Sequence, residues 1–381
     1  MSLVITVTTV ELILPKRLSS TRVDVAAQLN WHKVYGVQFY PIEETDQIPV
    51  LFMNHQHPLT LSGRLLLDAL ASKLDLSTLR NANLDGCGLT DFPINTLKLT
   101  SLAVLSLFDN QLTDIPSEIS QLGLLQTLNI GQNLLSTVPP SIGTLEHLEM
   151  LDLGHNCIPE LPASFGPLIN LIFLYASNNQ LSSLPSSFYG LSKLCYLNLA
   201  DNYFHELPSW IGRLSSLIEL RVYNNSLTTF PTEIGALANL VELHADKNQI
   251  ASLPDSIGQL CSLSKLNLQA NRLSELPESI GNLTRLTELD LRFNNLSALP
   301  SSFIRLQSLE YLDLRANALT ALPEDLHQLS NLRKVDLRWN RLETYHPAYL
   351  CLPGEAVLST PNRLCLLPDT RLKANVRFFG G

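Results

Sequence analysis

The side chains able to do covalent or metal chemistry are scattered along this chain. Of its six cysteines, Cys87, Cys157, Cys195 and Cys261 have no paired spacing. Cys351 and Cys365 stand fourteen residues apart, which permits a disulfide in the C-terminal segment without demanding one. A catalytic thiolate at Cys87 would need a neighbouring base and an electropositive setting, and nothing near it in sequence supplies either. His55 and His57 can share one strand face, but no cysteine or carboxylate cluster accompanies them. They read as ordinary surface histidines, not metal ligands. There is no glycine-rich phosphate loop, no G-x-S-x-G elbow and no H-E-x-x-H motif. Catalysis is not visible, and neither metal nor cofactor is implied.

What does stand out is a repeat. Asparagine recurs every 23 residues from Asn110 through Asn202 and Asn271 to Asn340, with Cys87 one step earlier, giving twelve positions in all. Proline keeps the same beat from Pro93 to Pro323. Leucines fill fixed offsets, as in Leu286, Leu289, Leu291, Asn294, Leu296 and Leu299. The L-x-L step has the period of a short strand with one buried and one open face. The Asn falls at the following turn, where its amide can donate to and accept from backbone groups that have left the strand ladder. Leu-Pro then leads into a short helical turn, in which Ile280 and Leu283 share one side. No unit buries its leucines alone, whereas stacked units bury a continuous core behind a parallel sheet. An Asn-rich repeat also generates the three N-x-[ST] sequons at Asn224, Asn282 and Asn295, which therefore carry little weight.

The pattern L-x-x-L-x-L-x-x-N-x-L-x-x-L-P-x-x-I-G-x-L resembles that of leucine-rich repeats, and its 23-residue Ile-Gly form is similar to the plant intracellular Ras-group-related type also found in bacteria. The resemblance implies an α/β solenoid: a horseshoe of about twelve repeats with a parallel concave β-sheet and short helical or 3-10 turns on the convex side. Residues 79–354 are assigned to the array. Residues 1–78 are read as an N-terminal cap or small α+β domain, with strands at Leu3–Leu14 and Val34–Tyr40 and a helix from Arg64 to Leu76. Residues 355–381 are read as a C-terminal cap. Members of this family bind unrelated partners, so the resemblance implies binding without naming what is bound. Bacterial effectors that join such repeats to a ubiquitin-ligase domain usually have shorter repeats and a large extra domain, and this chain has neither.

On an inner-curve sheet the open positions lie six, four, two and one residues before each Asn. Reading these columns gives two zones. In the middle, Met150, Phe173, Tyr175, Tyr196 and Tyr223 form an apolar-aromatic patch, with Phe108 toward the N-terminus. Beside it Gly131, Gly154, Ser177 and Ala200 leave a shallow trough. Glu219, Arg221, His244 and Asp246 adjoin the patch and are expected to set selectivity. Toward the C-terminus, Asp290, Asp313 and Asp336 face Arg292, Arg315 and Arg338, flanked by Phe293 and Trp339. That zone reads equally as a self-neutralised ladder and as a partner site. The aromatic patch reads as an interface, the competing account being rings that merely cover the sheet by packing on each other.

Hydrophobic residues at 45% and charged residues at 16% fit a core-forming chain. A net charge of −9 argues against nucleic acid as a partner. No apolar run reaches the ~20 residues of a membrane span. Leu3–Leu14 is apolar but carries Glu11 and follows no basic residue, so a secretory signal is not expected. The expectation is a cytoplasmic, monomeric, non-enzymatic module holding a protein partner on its concave face. Two alternatives stay open: a bacterial effector secreted into a host cell, or the substrate-recognition part of a ubiquitin-ligase-like effector, acting on a host protein; and an enzyme with its active site in an end segment.

Overall fold

A computed structural model describes residues 60–72 and 75–342, together with the strands Glu355–Ser359 and Val376–Phe379. The strands expected before residue 41, His55, His57, Cys351 and Cys365 lie outside the described residues. Among the described residues, fifteen parallel strands form one open sheet in strict sequence order. β1 (Thr60–Ser62) precedes the array, β2 (Asn81–Asn83) to β13 (Lys334–Asp336) come from the twelve repeats, and β14 (Glu355–Ser359) and β15 (Val376–Phe379) continue it. The register advances by one repeat per strand, as in Tyr196 beside Glu219 beside Glu242.

Each repeat strand is three residues long and buries its middle residue, Leu105, Leu128 and Leu220 being fully covered, while its outer two positions mostly stay partly open. Eleven short 3-10 turns lie on the other side, each preceded by the beat proline. Proline fits there because it needs no N–H to donate, and its carbonyl accepts instead: Ile280 N–H donates to Pro277 at 3.0 Å and Leu283 N–H to Ile280 at 3.1 Å. Leucines, isoleucines and phenylalanines from both sides meet in one continuous core.

The helix expected at Arg64–Leu76 forms at α1 (Gly63–Ala71). Its end is set by Ser72, whose N–H and Oγ both donate to the Ala69 carbonyl at 3.1 and 2.7 Å. Leu66 and Ala69 are buried in the same core as Leu79 and Leu84, so α1 packs on the first repeat.

Two devices lock the repeats together. The first is the asparagine ladder, which forms as its spacing predicts. Asn202 Nδ2 donates to the carbonyls of Ala176, Leu199 and Ala200 at 2.9, 3.1 and 3.0 Å, and its Oδ1 accepts the Leu181 N–H at 2.9 Å. Cys87 holds the ladder position of the first repeat and is half-buried, not fully covered as its place in the repeat suggests. An Asn there would find no loop N–H 21 residues back, because Leu66 lies inside α1.

The second device is the glycine after the turn's apolar residue. A Cβ on Gly143 would stand 1.9 Å from the Ser164 carbonyl oxygen, and one on Gly212 2.3 Å from that of Glu233. Only hydrogen fits between turns stacked so closely. Gly143→Ala is therefore expected to destabilise by ~1–3 kcal/mol or more, read by urea unfolding. An unchanged midpoint would show that the turns can separate without cost.

Candidate concave interface

The residue before each ladder position carries the chain out of the strand in the left-handed region. From Asp109 to Trp339 all eleven have φ between 51° and 60°, and Gly86 does the same at 63°. The residue types signal this only in part: Gly86, Asp109, His155, Asn178, Asp201 and Asn224 favour the left-handed region, whereas Gln132, Lys247, Ala270 and Phe293 do not.

In the middle of the face the in-register strands stack their side chains column by column. The Tyr175 and Tyr196 ring centroids are 4.8 Å apart with planes at 37°, and Phe173 lies 6.4 Å from Tyr196. The Arg221 guanidinium carbon sits 5.7 Å from the Tyr196 ring centroid. Tyr196 and Arg221 are consequently only 7% and 6% exposed, which corrects the expectation that both stand open. A ring flanked by two rings and roofed by a guanidinium is support for the patch, not its contact surface. Met150, Phe173, Tyr175, Tyr223 and Phe108 keep partial exposure. Burial, Tyr196 and Asp152 push the Tyr175 phenol upward, so it stays a neutral donor.

The trough is also more occupied than the small residues suggest. Gly131, Gly154 and Ala200 are buried. The Asp152 carboxylate leans over this floor: its Oδ1 accepts the Gly154 N–H at 2.9 Å and lies 3.0 Å from where a Gly131 Cβ would be. Burial pushes the Asp152 carboxyl up to about 6. Nothing in the type or spacing of Asp152 singles it out in the sequence; only its stacking against Gly131 does.

Next comes a mixed ionic cluster. Arg221 Nε donates to Glu219, His244 Nε2 lies 3.0 Å from Glu242, and Lys265 Nζ lies 3.3 Å from Glu242. The His244 contact and Lys265 hold the Glu242 carboxyl down at about 2, against its burial. Glu219, Glu242 and His244 place potential ligand atoms within 4.8 Å of one another, the one such group among the described residues. Arg221 and Lys265 already neutralise its carboxylates, and the donor set is read as an ion-pair network, not a metal centre. Asp246 accepts from Asn267 Nδ2 at 2.9 Å.

The C-terminal zone is a ladder of ion pairs. Arg292 lies 3.0 Å from Asp290, Arg315 is paired with Asp313 and 3.4 Å from Asp336, and Arg338 is 2.7 Å from Asp336. The three arginines and three aspartates therefore neutralise one another. The rim beside them differs: Phe293 and Trp339 are 48% and 57% exposed, with Arg338 5.5 Å from the Trp339 ring centroid. Tyr311, which opens β12 (Tyr311–Asp313), is 43% exposed. Among the described cysteines, Cys157 and Cys261 are exposed and none is bridged. No helix among the described residues is long and apolar enough to cross a membrane.

A single parallel solenoid with one long preformed face is the architecture of a protein-interaction module, typically without catalysis. Family patterns for leucine-rich repeats match residues 124–181 and 284–342, a leucine-rich repeat region matches 186–271, and a further single repeat matches 262–283. The chain belongs to the leucine-rich-repeat family. No curated protein matches it. Among solved structures, a leucine-rich-repeat protein of Leptospira interrogans is 29% identical with a TM-score of 0.61, covering 78% of this chain and 89% of that one. The plant peptide hormone receptor RGFR1, solved in complex with RGF2, is 28% identical with a TM-score of 0.56, covering 81% of this chain and 60% of that one. An internalin of Listeria monocytogenes, 23% identical with a TM-score of 0.54 over 71% of this chain and 83% of that one, shares the fold.

Proposed function

We propose that this chain is a non-enzymatic module that holds a protein partner on its concave face, with Phe173, Tyr175, Phe293 and Trp339 as apolar anchors. One observation carries the reading. The left-handed conformation before each ladder Asn is cheapest for Gly, Asn or Asp. Phe293 and Trp339 adopt it at φ 58° and 60° with large apolar side chains turned to solvent. Large aromatic rings make this conformation costlier for the fold than Asn would, and Arg338 covers only part of Trp339, whereas an interface gains two of its common anchors. The similar receptor bound to RGF2 lends support by analogy of fold.

Phe293→Asn and Trp339→Asn are each expected to raise stability by ~0.5–1 kcal/mol, because Asn tolerates the left-handed turn. The double variant, used as bait beside the wild-type chain in affinity capture, should lose most of the captured partner. Retention of the same partner at equal yield, or a stability loss above ~1 kcal/mol, would place both rings among the structural residues.

A further inference from the structure

The concave face is electrically divided. Over the first six repeats, the sheet-facing and turn positions from Asn81 to Asp201 hold four acids, Asp85, Asp109, Asp152 and Asp201, and no lysine or arginine. The same positions of the last six repeats, Glu219 to Trp339, hold seven acids and seven bases. In that second half most of the acids meet cations directly, as in Asp313 with Arg315 and Glu242 with Lys265, Asp246 accepting instead from Asn267.

In the first half every acid accepts only from neutral donors. Asp85 accepts from Ser106 Oγ and from the Phe108 N–H at 3.0 Å, and Asp109 from Gln132 Nε2 at 2.6 Å. Asp152 accepts from the Gly154 N–H at 2.9 Å, and Asp201 from Asn224 Nδ2. A hydrogen bond from an amide or hydroxyl holds a carboxylate in place but leaves its charge uncompensated. Asp152 is the clearest case, since it lies over the glycine floor with Tyr175 on the adjacent strand. Burial raises both Asp152 and Asp85, a penalty that an incoming cation relieves. The half-exposed ring of Tyr175, paired with Asp152 on the adjacent strand, offers a face to the same cation.

Resting on the proposed concave-face function, we infer that this half of the face takes an extended basic segment of the partner protein, with a lysine or arginine side chain over the Gly131–Gly154 floor against Asp152. The dimensions fit. From β2 to β7 (Tyr196–Asn198) the five strand spacings of ~4.8 Å span about 24 Å, the reach of about seven extended residues. The second half balances seven acids against seven bases and so has no net charge to bias the choice of partner, and selection by charge falls to the first half.

The test uses the full chain and a phage-displayed library of random peptides about twelve residues long. Selected peptides should carry about threefold more lysine and arginine than the unselected library, and should bind more weakly at high salt. Their affinity should fall about tenfold or more with the four changes Asp85→Asn, Asp109→Asn, Asp152→Asn and Asp201→Asn together, which keep the shapes and remove the charges. Asp152→Asn alone should account for the largest part, and it serves as the readout if the quadruple variant fails to fold. Asp313→Asn, in the paired half, should have little effect. Selected peptides that are uncharged or acidic, yet are lost on Phe173→Ala with Tyr175→Ala, would overturn the basic segment while leaving concave binding intact. Peptides indifferent to every concave change, or no selected peptide at all, would overturn both.

Discussion

Asn202→Ala is expected to lower the free energy of unfolding by ~3–5 kcal/mol, although it deletes only one amide. The residue is 4% exposed and serves four backbone groups: three carbonyls of two successive repeats and the Leu181 N–H. Each group left without a partner in the interior costs ~1–3 kcal/mol, and water entering the vacated space recovers part of the sum. Asn202→Asp should be at least as damaging, since an oxygen then faces three carbonyl oxygens. Asn239→Ala is the control: its Nδ2 also donates to a carbonyl of the previous repeat, Ser215 at 2.9 Å, but at an exposed position. It should cost below ~1 kcal/mol. Urea unfolding followed by circular dichroism reads both. Equal midpoints for the two variants would mean that the ladder is not what locks the repeats.

The second large effect is linked to pH. The Asp152 carboxyl sits at about 6 in the folded chain against 3.8 when unfolded, because burial disfavours its charge and Asp85 adds repulsion. Between those values the folded state binds more protons than the unfolded one. Its contribution is therefore favourable at low pH and is lost as pH rises toward and through about 6. At ~1.4 kcal/mol per unit, and discounting for partial exposure, ionised Asp152 costs ~1–3 kcal/mol at neutral pH. Asp152→Asn should stabilise by that amount at a pH near 7.5 and by almost nothing near 4. Taking the difference between variant and wild type at each pH cancels the other carboxylates, including Asp290, which burial also raises to about 6. A difference that does not change with pH would show that Asp152 titrates normally. A residue that weakens the fold at neutral pH is the kind expected to be kept for a partner.

Much of this architecture is legible in the repeat itself. The L-x-L spacing locates β2 to β13 and their open columns, and the Asn spacing foretells the ladder, because both follow from local geometry repeated in register. Exposure within a column is not legible. Whether Tyr196 faces solvent depends on Phe173 and Tyr175 one strand before and on Arg221 one strand after, and those contacts exist only once the strands stack. The left-handed turn leaves only a partial mark in the residue types, at Gly86, Asp109, His155, Asn178, Asp201 and Asn224, because the ladder imposes the conformation on the other residues as well, up to Trp339. β1 and β14 are missed because they fall off the beat: Thr60 pairs with Asn81 and Lys334 with Glu355, 21 residues apart where the repeats step by 23. The columns of Asp290, Asp313 and Asp336 are visible in the sequence, but only the structure's distances show that they pair with Arg292, Arg315 and Arg338.

The most direct test of the central claim places a photo-crosslinking benzoylphenylalanine on one side of the solenoid at a time. Tyr311 and Trp339 lie on the strand side, 43% and 57% exposed, and Tyr189 lies on the turn side at 50%. The three positions differ little in access to solvent, so only the side distinguishes them. Illumination in the presence of the captured partner should yield an adduct from Tyr311 and Trp339 and none from Tyr189. An adduct from Tyr189 alone would move the partner to the convex side and contradict the account.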